Sequence, residues 1–317
     1  MDLLKARGPG GLPSIAPLAF AALAWCCCAP ALACSICRCG DPTFNSLGAE
    51  THTGSGLYLA FDVDRVAKSQ GSGDEHESIV EYRETATFLY GVSDRLLLSA
   101  RLPYSQRDLT AADPEEGGSS IGFADPELAV QYRVWASRMT GDVGQRASIA
   151  LQAGVKTPWG ENNLRNSDGE LLDEHLQTGT GSTDPFFGAS GFYLVNHSSS
   201  FFASLQWRHT GDNSRGYRYG DSFLANLAYE HKLHPSLDAV LELNYRDAGK
   251  DRVDADGTLD DNTGGRMLYL APRLLFDAGH GLVLRLGVQV PIHSSLNGEQ
   301  SEKPVYNLGL TYSPHQD

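Results

Sequence analysis

The sequence predicts an all-β protein, an up-and-down antiparallel transmembrane β-barrel of about 12 strands over residues 55–317. Three observations predict it. After residue 33 the chain falls into segments that alternate apolar and polar residues. The connections between them run short and long in turn. No later stretch approaches the roughly 18 consecutive apolar residues of a membrane helix. A closed barrel satisfies every backbone hydrogen bond between strands and leaves no open edge in lipid, which is what such a pattern needs.

Taken from the start, Lys5 and Arg7 precede an almost wholly apolar run over 15–32, and Ala31-Leu32-Ala33 has the form of a secretory cleavage site. Residues 1–33 therefore read as a signal peptide. Cleavage before Cys34 is also where a lipoprotein peptidase cuts, but Ala31 stands where a lipobox carries leucine. Residues 34–54 form a short periplasmic segment holding Cys34, Cys37 and Cys39. Three thiols so closely spaced can hold a soft metal such as Cu(I) or Zn(II), contact a periplasmic partner, or close a disulfide. Arg38 after C-x-x-C, where a haem attachment site needs histidine, argues against c-type haem. Cys26, Cys27 and Cys28 leave with the signal peptide and no cysteine follows Cys39, so barrel closure rather than cross-linking must hold the fold.

Strands are expected over 55–66, 79–90, 95–105, 123–135, 146–158, 184–195, 200–210, 219–231, 237–247, 266–277, 281–292 and 304–313. In the first, Leu57, Leu59, Phe61 and Val63 share one face, with Tyr58, Ala60, Asp62 and Asp64 on the other. Inside a barrel the apolar face meets lipid and the polar face lines the lumen. That phase makes Glu81, Arg83, Glu127, Arg133, Lys156, Arg208, Glu230, Glu242, Arg246 and Arg285 the lumen-lining candidates. Opposed carboxylates and guanidiniums there can seal the lumen or line a narrow polar path. Pro103, Pro158 and Pro291 are expected where strands leave the membrane, since proline cannot donate to the ladder. Trp135 and Trp159 are expected at opposite rims, with Tyr90, Tyr104, Tyr193 and Tyr245 near strand ends, as interfacial aromatic girdles.

Charge is distributed unevenly. The net charge is −14, and the connections 106–120, 159–183 and 247–265 carry 15 acidic residues against 4 basic ones. An acidic rim repels polyanions, which excludes nucleic acid as a partner, and it faces the divalent cations that bridge lipopolysaccharide phosphates. Within the third connection, Asp254, Asp256 and Asp260 around Gly257 resemble part of a calcium loop, without the bidentate glutamate of a full one.

Four motifs carry a family resemblance. They are Gly122-Phe123-Ala124-Asp125-Pro126, Lys156-Thr157-Pro158-Trp159-Gly160, Thr178-Gly179-Thr180-Gly181-Ser182-Thr183-Asp184-Pro185, and residues 211–221 from Gly211-Asp212-Asn213 to Tyr219-Gly220-Asp221. Over roughly 80–312 the chain resembles the outer-membrane transporter proteins grouped with the MetA pathway of phenol degradation. The resemblance implies a barrel in the cell outer membrane, in contact with lipid and lipopolysaccharide, that passes small, aromatic or hydrophobic solutes passively. It implies no enzyme. Two other readings remain open: a barrel that only anchors a metal- or thiol-binding segment, and a lipid hydrolase. The second rests on His209, Asn213 and Ser214, which are similar to the dyad of outer-membrane phospholipase, although Gly211 occupies the position where that family has its serine.

Overall fold

The computed structural model describes residues 56–71, 76–111, 117–138, 145–253 and 256–314. The expected signal peptide, Cys34, Cys37, Cys39 and Asp254 lie outside the described residues. Fourteen strand segments are described: β1 Gly56–Gln70, β2 Glu77–Gly91, β3 Leu96–Ala111, β4 Gly118–Phe123, β5 Glu127–Arg138, β6 Gln145–Lys156 and β7 Asp184–Asn196. The others are β8 Ser199–Arg208, β9 Ser222–His234, β10 Leu237–Ala248, β11 Gly265–Gly279, β12 Leu282–Leu296, β13 Gln300–Glu302 and β14 Val305–Tyr312.

Each strand pairs antiparallel with its neighbours, and β1 closes the ring against β14, from Leu59 opposite Tyr312 to Arg65 opposite Tyr306. β4 and β5 share one stave of the barrel, and β13 and β14 share another, so the closed wall has 12 staves. Side-chain exposure follows the period-2 phase of the sequence. Leu57 and Phe61 are exposed on the outer face while Asp62 and Asp64 are buried inside. The same holds in β14, where Tyr306, Leu308, Leu310 and Tyr312 face out and Asn307 and Thr311 face in.

Strand ends depart from the expected bounds mainly at the long-loop rim. The connection expected over 106–120 is mostly a hairpin, because β3 continues to Ala111 and β4 starts at Gly118. Polar side chains such as Asp108 and Ser119 hid this extension, yet cross-strand pairing there needs no lipid-facing pattern. β9 begins at Ser222, three residues later than expected, since Tyr219 and Gly220 belong to the loop. The expected strand 123–135 is broken at Ala124-Asp125-Pro126.

That break corrects the placement of Pro103 and Tyr104, which lie inside β3 rather than at a rim. β3 switches partner there, from β5 up to Arg101 to β4 from Tyr104, so Pro103 needs no donor toward the gap. Pro291 likewise sits within β12, beside the register shift at Leu268/Tyr269. Trp135 near the end of β5 and Trp159 beyond β6 do stand toward opposite rims, and both are exposed.

Candidate substrate path through the barrel

The lumen has two unlike walls. On the side of β1 and β10–β14 the inward phase delivers charges that neutralise one another. Arg285 bonds Asp62 at 2.9 Å, Arg273 lies 3.1 Å from Glu242, Asn307 donates to Asp64 at 2.8 Å, and Asn244 donates to Gln289 at 2.9 Å. These ion-paired side chains are at most 2% exposed. Ions held so dry persist only when paired and hydrogen-bonded, so this wall is a packed electrostatic core. Gly309 makes room for it, because a β-carbon there would stand 2.5 Å from Asp62 Oδ1 and 2.9 Å from Arg285 Nε. Toward the long-loop rim Glu302 gathers Arg246 and Tyr269 at 2.5 Å and Lys68 at 3.3 Å.

The opposite wall is mixed: on β2 and β3 Glu81, Thr85, Thr87 and Ser105 are buried, while the inward residues of β5–β9 are wetter. Glu81 pairs with Arg83 at 2.9 Å and accepts from Ser105 at 2.5 Å, and Glu127 pairs with Arg101 at 3.0 Å and Arg208 at 2.5 Å. Arg101, Glu127 and Arg208 keep 24%, 16% and 11% of their side-chain surface, unlike the dry pairs opposite. Arg208 also lies 5.3 Å above the ring of Phe186, a cation–π contact inside the lumen. Nearer the short-turn rim Gln131, Gln152, Ser190, Ser204 and Gln206 occupy the inward phase half-buried. Two apolar clusters also face inward there, Tyr58–Leu89–Leu97 and Phe202–Ala228–Val240.

At the long-loop mouth runs a strap, residues 157–183, which the β4–β5 break pins in place. The Asp125 carboxylate accepts from Gly160 N at 2.9 Å, Thr180 N at 2.7 Å, Thr180 Oγ1 at 2.6 Å and Lys156 Nζ at 3.2 Å. Lys156 also bonds Thr180 Oγ1 and pairs with Asp184 at 2.7 Å, while Asp184 accepts from Gly211 N at 3.0 Å. Both legs of the strap thus cross at one carboxylate. Gly160 and Gly179 allow the crossing, since a β-carbon on Gly179 would lie 2.6 Å from the Gly160 backbone. Beyond the neck, Arg107 donates to the carbonyls of His175 at 2.9 Å and Gln177 at 2.5 Å. Leu176 packs on lumen-facing Ile79 and Leu109.

Two more loops lock over the strap. Arg215 forms a fork with the Glu174 carboxylate and donates to Asn162 O at 2.5 Å. The hydrogen bond to Glu174 raises the Arg215 pKa above its ordinary value, against the burial that opposes it. Tyr217 OH and Gly220 N both bond Asp251 at 2.7 Å, which joins the loop 209–221 to the loop 249–264. Burial alone would lift the Asp221 carboxyl, but bonds with Thr210 N, His209 and Arg218 outweigh it and hold the group below the ordinary carboxylate range.

Of the sequence candidates, Glu81, Arg83, Glu127, Lys156, Arg208, Glu242, Arg246 and Arg285 belong to these networks, but on two separate walls. Arg133 and Glu230 lie half-buried on β5 and β9, outside both belts. Arg101, Arg107, Arg273, Asp184 and Glu302 were missed. Arg101, Arg107 and Arg273 share the inward phase of their strands, so the period was the available signal. Asp125 and Asp184 were visible only as motif letters. His209 spends its ring nitrogen on Asp221 at 3.0 Å, and Asn213 reaches Glu174 and Thr180 O; no hydrogen bond joins His209 to exposed Ser214. Asp256 is exposed, and Asp260 turns Oδ1 to Asn262 N at 2.9 Å. Among the described residues no three His, Cys, Asp or Glu side chains gather as a metal site.

This geometry defines a strap-bearing outer-membrane β-barrel. The chain belongs to the family described as "Putative MetA-pathway of phenol degradation", which it matches over residues 67–295. Its fold is similar to that of an outer membrane channel from Pseudomonas putida, with a TM-score of 0.65 at 14% identity, covering 86% of this chain and 99% of that one. A Pseudomonas aeruginosa FadL homologue gives a TM-score of 0.45 at 11% identity, covering 87% of this chain and 99% of that one. The translocator domain of the autotransporter NalP from Neisseria meningitidis also gives 0.45 at 11% identity, covering 83% and 90%. No curated protein matches the chain in sequence.

Proposed function

We propose that this protein is a passive outer-membrane channel for small, hydrophobic or aromatic solutes, delivered as a mature chain after removal of residues 1–33. The observation that carries the reading is the half-wet wall of β5–β9 inside a closed barrel. Gln131, Gln152, Ser190, Ser204 and Gln206 face inward without being packed away, beside inward apolar clusters. A lumen meant only to be filled would bury that wall as thoroughly as Arg273 and Glu242 are buried opposite. The acidic loops then face the outside of the cell, and the strap is the barrier that a solute meets first. The Pseudomonas putida protein of similar fold is an outer membrane channel, which agrees with this use of the barrel.

Liposome swelling tests it. Proteoliposomes carrying the mature chain should swell in an isosmotic small neutral solute faster than empty liposomes, and swell faster still when the strap is released by Asp125→Ala. Swelling no faster than the empty control in both cases would remove the channel reading.

A further inference from the structure

We propose that a row of amides across the half-wet wall of β5–β9 binds an uncharged solute carrying two adjacent hydroxyls on an apolar body; the proposal rests on the channel reading above and names a ligand class for it. Cross-strand register assembles the row from six strands. Leu97 on β3 stands opposite Gln131 on β5, and Gln131 opposite Gln152 on β6. Gln152 stands opposite Gly188 on β7, Gly188 opposite Gln206 on β8, and Gln206 opposite Leu224 on β9. All six take the inward phase of their strands, and the three glutamines are half-buried. On β6 the row lies four residues from Lys156, roughly 13 Å inside the neck at the rise of a strand.

The chemistry of the row selects its ligand. Gln131 turns Nε2 to Ser190 Oγ at 3.4 Å, whereas the amides of Gln152 and Gln206 bond no group among the described residues. Gly188 lies between those two and has no side chain. Gln152 Oε1 reaches over it, 3.5 Å from where a β-carbon would stand. Strands lie about 4.8 Å apart, so the two amides approach one space from backbones roughly 10 Å apart. Two adjacent hydroxyls fill that space with a hydrogen bond to each amide, since an amide both donates and accepts. A hydrocarbon there would strip water from both amides and give no bond in return. The nearby charges leave little for an ion: Arg208 and Glu127 satisfy each other at 2.5 Å, and Lys156 pairs with Asp184 at 2.7 Å. Arg133, a row nearer the short turns, has a partner of its own. Leu97 and Leu224 end the row with apolar surface, and Leu97 packs with Tyr58 and Leu89. The ligand that fits is polar along one edge only.

Ligand-observed saturation-transfer NMR on the full mature chain in detergent, with vicinal cyclohexanediol and cyclohexanol as probes and micelles alone as the blank, tests the assignment. After subtraction of the blank, wild type should bind the diol about three- to tenfold tighter than cyclohexanol, the scale of one added neutral hydrogen bond. Gln206→Leu should lower diol affinity by about the same three- to tenfold factor. The double variant Gln152→Leu/Gln206→Leu should bring the diol to the level of cyclohexanol or below it. Heat-modifiable electrophoretic mobility shows that each variant has folded, and the single variant carries the test if the double one does not fold. Equal affinity for the two probes in wild type, a diol signal no larger than the blank, or a diol preference undiminished in the variants would overturn the site. Swelling measured in parallel separates the two claims: swelling without diol binding removes the row as a site, and diol binding without swelling removes the channel.

Discussion

Replacing Asp125 by alanine should free the strap while leaving the barrel wall closed. The carboxylate holds four donors from three parts of the chain, namely Gly160 N, Thr180 N, Thr180 Oγ1 and Lys156 Nζ. Two of those donors are backbone groups at the crossing of the strap's legs, and Lys156 is only 7% exposed. Removing one member of a buried ion pair costs about 3–5 kcal/mol, because the partner is left without its counter-charge. Lys156 keeps Asp184 at 2.7 Å, which places the expected cost toward the lower end of that range. A loss of about 3 kcal/mol in local stability corresponds to roughly a hundredfold faster opening. Hydrogen exchange of residues 157–183 reads this directly, with β1 and β14 as an internal reference because they close the ring far from the neck in sequence. Strap amides that exchange as slowly in Asp125→Ala as in the wild type would refute the pinning argument. Equal acceleration of strap and barrel would refute the claim that the neck is local.

Other outcomes follow from the same contacts. Leu176→Ala should loosen the strap from Ile79 and Leu109 at a cost of about 2–5 kcal/mol, seen as faster exchange near residue 176 and a larger solute cut-off in swelling. Asp62→Ala alone should lower barrel stability more than the double variant Asp62→Ala/Arg285→Ala, by unfolding in urea, since only the single variant strands a buried charge. The Asp221 carboxylate is held below its ordinary range, so the stability it contributes is present above about pH 3.9 and is lost as pH falls through the lower folded value. Loop 209–221 should therefore keep its exchange protection at pH 5 and lose it under more acidic conditions, and Asp221→Asn should abolish that dependence.

The barrel was legible because lipid imposes a one-sided rule. Leu57, Leu59, Phe61 and Val63 must face hydrocarbon, which sets strand, phase and inward residues together. Beyond the hydrocarbon the rule lapses, and that is where reading failed: residues 106–111 and 118–120 pair as strand while appearing as a polar loop. The candidate path was half legible. Period 2 put Glu242 and Arg285 inside, but nothing in one strand shows that Glu242 meets Arg273 and Arg285 meets Asp62, since partner choice depends on register across the wall. The neck lay beyond reach for a different reason. Asp125, Gly160 and Thr180 come together only when a strand break and both legs of a loop meet, and their letters gave motifs without geometry. Once folded, the motifs read as joinery for the strap: the aspartate accepts, the glycines let the legs touch, and the lysine ties Asp125 to Asp184.

The most direct measurement is planar-bilayer recording of the refolded mature chain beside Asp125→Ala. A closed cylinder with one wet wall under a strap predicts small, discrete conductance steps in the wild type and larger or longer openings in the variant. A bilayer that stays silent with both proteins, although both have inserted, would contradict the account.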